Sequence, residues 1–489
     1  VVQFLRTETT TRDSISFVRA AWKLHTLPIG EALRSSNQHP LYPALVLAVS
    51  SWTRAWHPED LPLAMSVACQ LTSCLASVAL SIALFFLGRE LFSPSVGFWG
   101  AILFQTLPAT GRLMADGLSE PVFLLLACVS LVAAIRGLSG SSPWWMLLAG
   151  TAGGLAYLTR PEGLLIPVAT LAVLAWISVR QGKPSLMPRA ALLLLPVMLL
   201  CLPYMVTIGK LTAKPSAEYL VDPDKWGREG LFKPVTPEKK AAIGAAFPFA
   251  EWYFGPDITP DMRWGWGVKA LAFAISENYF YFGILVVALG AWAYRKKVLT
   301  EPGWLLYGLI VAILCLLCYR VAQSNGYLSS RHVVLITLGG ALALAAGLEA
   351  LCAPLWRPRP GWAGLAAVLL CVAACMPKLL VPLHGDRGAY RAAGEWIARN
   401  SLPGDRVWDP YAHAYYHAGR VFTEGMDGLP AEQPRVTYVV VDSSDNRHEH
   451  LFYLVKEAER LAQVGEPVCR FPAPRRKHSG EVVVYRVRQ

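Results

Sequence analysis

LPLAMSVACQLTSCLASVALSIALFFL, residues 61–87, decides the fold: it contains no charged side chain and is long enough to cross a hydrocarbon core of ~30 Å as one helix. Further charge-poor runs lie at 96–113, 121–135, 144–158, 164–179, 190–208, 268–294, 304–319, 333–350 and 362–380, giving about ten candidate spans. Over its 489 residues the chain is 54% hydrophobic and 16% charged, with a mean hydropathy of +0.38. That balance excludes a soluble domain of this size and predicts a mainly α, polytopic membrane protein. The net charge of +11 fits Lys and Arg at cytoplasmic loops and lipid headgroups, and no nucleic-acid-binding signature accompanies it.

Three segments follow. Residues 1–60 form an N-terminal segment with interfacial helices, 61–383 a transmembrane core with a long loop at 210–262, and 384–489 a small α/β domain. In the last, YRAAGEWIARN, RVTYVVVD, LFYLVKEAERLA and EVVVYRV read as helix, strand, helix and strand. Alternating short loops divide the basic residues unequally. Arg89, Arg136, Arg180, Lys183, Arg189, Arg295, Lys296, Lys297, Arg357 and Arg359 fall in one set, and little beyond Arg112, Arg160 and Arg331 in the other. This roughly threefold bias makes the first set cytoplasmic, with the N-terminal segment, the long loop and the C-terminal domain outside. Because the chain begins with Val, a preceding spanning helix is expected, for about eleven in all.

The chemically interesting loops then share the external face. In TTTRDSISFVRAAWKL, residues 9–24, Arg12, Ser16, Arg19 and Lys23 oppose Ile15, Val18, Trp22 and Leu24, the pattern of an amphipathic helix in the interface. Asp13 at its start is either an N-cap or an acid placed to take a proton from a hydroxyl. HPLYP brings His39 and Tyr42 to a helix entry, where His39 contacts a phosphate or caps the turn. GRLMADGLSEP carries Arg112, Asp116 and Glu120; TRPEG carries Arg160 and Glu162; NGYLSSRH carries Tyr327, Arg331 and His332. Ionisable groups at such depths face a cavity or a partner. The three arginines suit a lipid-linked phosphate, or pair with the neighbouring acids. The aromatic stretch FPFAEWYFGPDITPDMRWGWG, residues 247–267, is an interfacial belt or a stacking surface.

Together, the early Asp before an amphipathic helix, HPLYP, the acid of GLSEP, RPEGLL, the SSRH turn and YRAAGEWIARN resemble bacterial membrane glycosyltransferases of the C type (GT-C fold), in particular glycosyltransferase family 39 and the dolichyl-phosphate-mannose protein mannosyltransferase-like group. The resemblance implies an inverting enzyme of the bacterial plasma membrane. It would move a monosaccharide from a polyprenyl-phosphate donor to a lipid, glycan or protein acceptor at the extracytoplasmic face. By the same likeness Asp13 matches the first-loop catalytic acid, Glu120 the acid of the second external loop, and Arg331 a donor-phosphate ligand. Ser14 stands where many relatives carry a second acid, which weakens the expectation of a divalent metal.

A transporter or lipid flippase is the rival reading, expected to show internal repeats and charges near the midplane; no clear repeat is present. A membrane-anchored sensor is a third, but the C-terminal domain offers only His413 and His417 at metal-compatible spacing. Cys315 and Cys318 form a CxxC inside an apolar run, where cysteines act as small packing residues.

Overall fold

The computed structural model describes residues 7, 9–140, 142–181, 187–214, 263–281, 283–325, 328–352, 360–385, 387–402, 404–423, 436–443, 452–474 and 479–488. Three helices precede the bundle: α1 (Arg12–Thr26), α2 (Ile29–Arg34) and α3 (Leu41–Trp56). Helix α1 buries Ile15, Phe17, Val18 and Ala21 and leaves Arg19 outward. Its apolar side therefore packs on protein: Phe17 meets Tyr42 of α3 edge-on at 4.8 Å.

The bundle runs through α4 (Leu61–Leu91), α5 (Pro94–Thr106), α6 (Pro108–Ala115), α7 (Glu120–Leu138), α8 (Trp144–Thr159), α9 (Leu165–Gln181) and α10 (Met187–Ile208). It continues with α11 (Arg263–Glu277), α12 (Gly283–Ala293), α13 (Arg295–Thr300), α14 (Pro302–Asn325), α15 (Val334–Cys352) and α16 (Pro360–Leu379). Among the described residues, 6 helices are long and apolar enough to cross a membrane, α4 being the longest at 31 residues. Two of the expected spans are interrupted. Pro108 forces the preceding Leu107 into an extended conformation (ψ 127°) and separates α5 from α6. Residues 278–281 turn through left-handed Phe280 (φ 54°) and Tyr281 (φ 60°), separating α11 from α12. At 11 residues, α12 is about 16 Å long and cannot cross the hydrocarbon alone. It packs closely on α15, because Gly290 and Gly347 each face the other helix's backbone where a Cβ would clash.

Contacts between elements define two ends. At one, Arg136 pairs with Glu90 at 2.9 Å, Trp304 Nε1 donates to the Leu91 carbonyl at 2.9 Å, and Phe92 stacks on Tyr294 at 4.9 Å. Arg89, Arg136 and Arg295, all from the richer basic set, gather here. At the other end lie Asp13, Glu120, Arg160 and Arg331, so these two arginines stand apart from Arg89, Arg136 and Arg295.

The C-terminal domain carries a sheet of order β1 (Arg406–Trp408), β2 (Val436–Asp442), β4 (Ser479–Arg488), β3 (Glu466–Pro474). β1 runs parallel to β2, and the other pairings are antiparallel. On one face, α17 (Gly388–Asn400) packs Tyr390, Ala393 and Ile397 against Tyr438, Val440, Val482 and Val484. On the other, Ala458 of α19 (Phe452–Gln463) meets Val439 and Val487. The expected helices and strands appear, with β1 and β3 in addition.

The domain docks through the short helix α18 (His413–His417). Tyr416 donates to the Pro62 carbonyl at 2.6 Å and accepts from Ser66 at 3.0 Å, both in the first turns of α4. His417 shares a 2.9 Å hydrogen bond with Thr9, and Trp22 of α1 donates to the Phe422 carbonyl at 3.2 Å. His417 thus serves the docking face, while His413 stands edge-on to Tyr390 at 5.7 Å within the domain. Among the described residues no group of three His, Cys, Asp or Glu side chains suits a metal ion.

Candidate active site

Helix α1 is capped by Thr11, whose hydroxyl accepts from Ser14 N at 3.2 Å. This corrects the N-cap reading of Asp13: it sits inside the first turn, its side chain 54% exposed and free of capping duty. The turn is fixed from behind, where Ser14 Oγ donates to the Gly117 carbonyl at 2.7 Å. Gly117 fits closely there: a Cβ would stand 3.0 Å from Cys69 Sγ and 3.2 Å from Ser14 Oγ, so those side chains would have to give by a few tenths of an ångström.

Opposite Asp13, Arg331 enters from the turn before α15. Its Nη1 donates to Asp13 Oδ2 at 2.5 Å, while Nε and Nη2 reach Glu120 Oε1 at 2.9 and 2.7 Å. Arg160 approaches the same oxygen from another side, with Nη1 at 2.8 Å, and holds Glu162 through Nη2 at 3.0 Å. Glu120, at the first position of α7, is wholly buried. Its Oε1 takes three N–H donors, and its Oε2 has no hydrogen-bond partner among the described residues. Residues 318 positions apart in the chain are thereby joined in one network.

Burial lowers the pKa of both guanidiniums, but the carboxylates win: Glu162 and Glu120 raise that of Arg160, and Glu120 and Asp13 raise that of Arg331. Burial and the charges of Arg160 and Arg331 hold His332 neutral, at about 4. Burial and Lys214 do the same to His39, also about 4.

The other expected site residues are distributed unevenly. His39 shares a 2.8 Å hydrogen bond with Thr212 and stands edge-on to Tyr157 at 5.2 Å, beside the network rather than in it. Ser329 N donates to His332 Nδ1 at 3.2 Å, shaping the turn that presents Arg331. Tyr42 is fully buried, with its hydroxyl engaged by Ser73 at 2.8 Å and the Cys69 carbonyl at 3.0 Å, so it makes no hydrogen bond to the network. The trio of arginines is also corrected, because Arg112 turns away and donates to the carbonyls of Lys378 and Val381, capping the end of α16. Asp116 meets His384 at 2.9 Å instead of a guanidinium. Tyr327 and the aromatic stretch up to residue 262 lie outside the described residues.

One residue was missed. Lys214 follows α10 and interacts electrostatically with Arg160, Glu162, Glu120 and Arg331. It belongs to no motif; its only sequence signal is a cation just beyond an apolar run.

A helical membrane bundle with an acid-bearing helix across one end and a shared guanidinium–carboxylate network beneath it defines the class: the chain has the GT-C fold of membrane glycosyltransferases. Residues 63–206 match the dolichyl-phosphate-mannose-protein mannosyltransferase family. ArnT from Cupriavidus metallidurans, solved bound to undecaprenyl phosphate, superposes with a TM-score of 0.56 at 12% identity, covering 99% of this chain and 96% of that one. The oligosaccharyltransferase AglB from Archaeoglobus fulgidus, in complex with an inhibitory peptide and a dolichol-phosphate, superposes with a TM-score of 0.52 at 14% identity over 87% of this chain and 58% of its own. No curated protein sequence matches the chain.

Proposed function

We propose that the chain is a membrane glycosyltransferase that moves a sugar from a polyprenyl-phosphate carrier to a hydroxyl-bearing lipid, glycan or protein acceptor, with Asp13 as general base. The observation carrying this reading is the pairing of an exposed, non-capping Asp13 with Arg331, itself fixed by buried Glu120. The acceptor oxygen attacks the anomeric carbon and its proton passes to the Asp13 carboxylate. The bond from that carbon to the phosphate oxygen breaks, and the carrier phosphate leaves with the electron pair. A single displacement inverts the anomeric centre. Arg331 orients Asp13, and Arg331 and Arg160 hold the buried Glu120, while the cationic surroundings of the site favour departure of the anionic carrier phosphate.

The donor set does not suit a divalent cation, because Asp13, Glu120 and Glu162 each turn to a guanidinium rather than converge on a common point. The basic loops at the opposite end support an extracytoplasmic site, with the C-terminal domain on the same face. Charges gathered at one end, not at the midplane, favour an enzyme over a transporter.

The deciding experiment incubates the purified chain with a panel of polyprenyl-phosphate sugars and assays released polyprenyl phosphate. Release by the wild type and its collapse in Asp13→Asn support the reading; no release from any donor with a supplied acceptor counts against it.

A further inference from the structure

We infer that Lys214 is the residue that contacts the phosphate of the lipid carrier, the two arginines serving to position Asp13 and Glu120. This deepens the glycosyltransferase reading and rests on it.

The contacts of the two guanidiniums are already made. Arg331 bonds Asp13 and Glu120, and Arg160 bonds Glu120 and Glu162. Asp13, Glu120 and Glu162 are balanced by Arg160, Arg331 and Arg12, whose guanidinium lies in the field of Asp13, so without a further cation the network is neutral and has no net pull on a phosphate. Lys214 supplies the missing charge. It interacts with Glu162 and Glu120, yet among the described residues its ammonium makes no hydrogen bond and no ion pair. An ammonium is a point donor on a flexible stem, suited to a phosphate that arrives and leaves.

Its backbone is held in place. The Tyr157 hydroxyl donates to the Leu211 carbonyl, His39 bonds Thr212 at 2.8 Å, and Lys214 N donates to Thr212 Oγ1 at 3.1 Å. HPLYP thereby acquires a role: its histidine fixes the segment that bears the lysine.

The ammonium also titrates in a useful range. Burial and Arg160 lower it to about 8 against the pull of Glu162 and Glu120, with Arg331 and His39 the other charged or titratable groups facing it. Its charge is present below that value and lost as pH rises through it.

The test measures binding of undecaprenyl phosphate and of uncharged undecaprenol to the full chain in nanodiscs, with inorganic phosphate as a third probe. Lys214→Gln should weaken undecaprenyl phosphate about 10–100-fold and leave undecaprenol and the unliganded Tm unchanged. Lys214→Arg should restore binding and abolish the fall in affinity that the wild type shows between pH 7 and 9. Inorganic phosphate should follow the same order more weakly. Unchanged undecaprenyl phosphate binding by Lys214→Gln, in a protein that still releases polyprenyl phosphate from a sugar donor, overturns the role of Lys214 and leaves the glycosyltransferase reading standing. A wild type that binds undecaprenol as tightly as undecaprenyl phosphate overturns both.

Discussion

Both ends of the bundle hold a glutamate between two arginines, and they are not alike. At the basic end Glu90 pairs with Arg89 and Arg136, the guanidinium of Arg136 also lies over the Trp145 ring, and the Arg136 and Glu90 side chains are 24% and 25% exposed. At the site end Glu120 is 0% exposed, its Oε1 is crowded with donors, and Oε2 has none among the described residues. Water and headgroups screen the first pair, which fixes loop geometry at little cost. The second removes a carboxylate from solvent, and such a buried group is expensive unless its partners are in place. The difference teaches that an ion pair alone does not tell the ends apart; burial and incomplete satisfaction do.

The strongest way to break this comparison is Asp13→Asn. Thr11, not Asp13, caps α1, so the helix should be unaffected while transfer falls about 10²–10⁴-fold. Release of polyprenyl phosphate and the Tm of the same preparation check both halves. Near-normal turnover would reduce Asp13 to a counterion of Arg331 and make the ends differ in burial alone.

Next comes Glu120→Ala, which leaves Arg160 and Arg331 around an empty position and should cost about 3–5 kcal/mol in chemical unfolding. A loss below ~1 kcal/mol would show that the site-end pair is as weakly coupled as the other.

A smaller effect concerns acid. His39 and His332 have values of about 4 in the folded chain, against ~6.5 when unfolded. The unfolded chain therefore binds more protons between those values. The stability His39 permits is full above ~6.5 and lost as pH falls towards 4, by up to about 1.4 kcal/mol per unit, whereas His332 is exposed and solvent screening makes its share smaller. Melting curves from pH 7.5 to 5 should decline, and His39→Gln should flatten the decline; an identical slope in that variant would place the acid response elsewhere.

The smallest change is expected from Glu90→Ala, at about 0–1 kcal/mol in the same unfolding measurement used for Glu120→Ala. A loss as large as that of Glu120→Ala would erase the distinction between the ends.

Much of this organisation is legible in the chain itself. Residues 61–87 announce a span because composition and length suffice for one. The breaks are harder to read. Pro108 hides within an otherwise apolar run, and the turn at 278–281 has one usual turn former, Asn278, while its left-handed positions fall to Phe280 and Tyr281, which give no turn signal. The acid, Glu120, Arg160 and Arg331 stand out as charges beside membrane runs. The turning away of Arg112 does not, because its partners are backbone carbonyls of Lys378 and Val381 that no side-chain pattern encodes. Tyr42 misleads for the opposite reason: aromatic and polar at a helix entry, it looks like a contact residue until its hydroxyl is found between Cys69 and Ser73. Lys214 is silent until the fold brings α10 beside α8 and α3.

The 31 residues of α4 span about 46 Å, against a hydrocarbon layer of ~30 Å. Its first turns bear Pro62 and Ser66, on which Tyr416 rests, while Thr9 and Trp22, flanking the Asp13 turn, hold the same docked domain. A helix with so much surplus length answers a thinner or thicker bilayer by changing its tilt. The C-terminal domain rides on that mast, and α1 is lashed to the domain, so one helix carries both the bundle's longest span and the platform that holds the Asp13 turn.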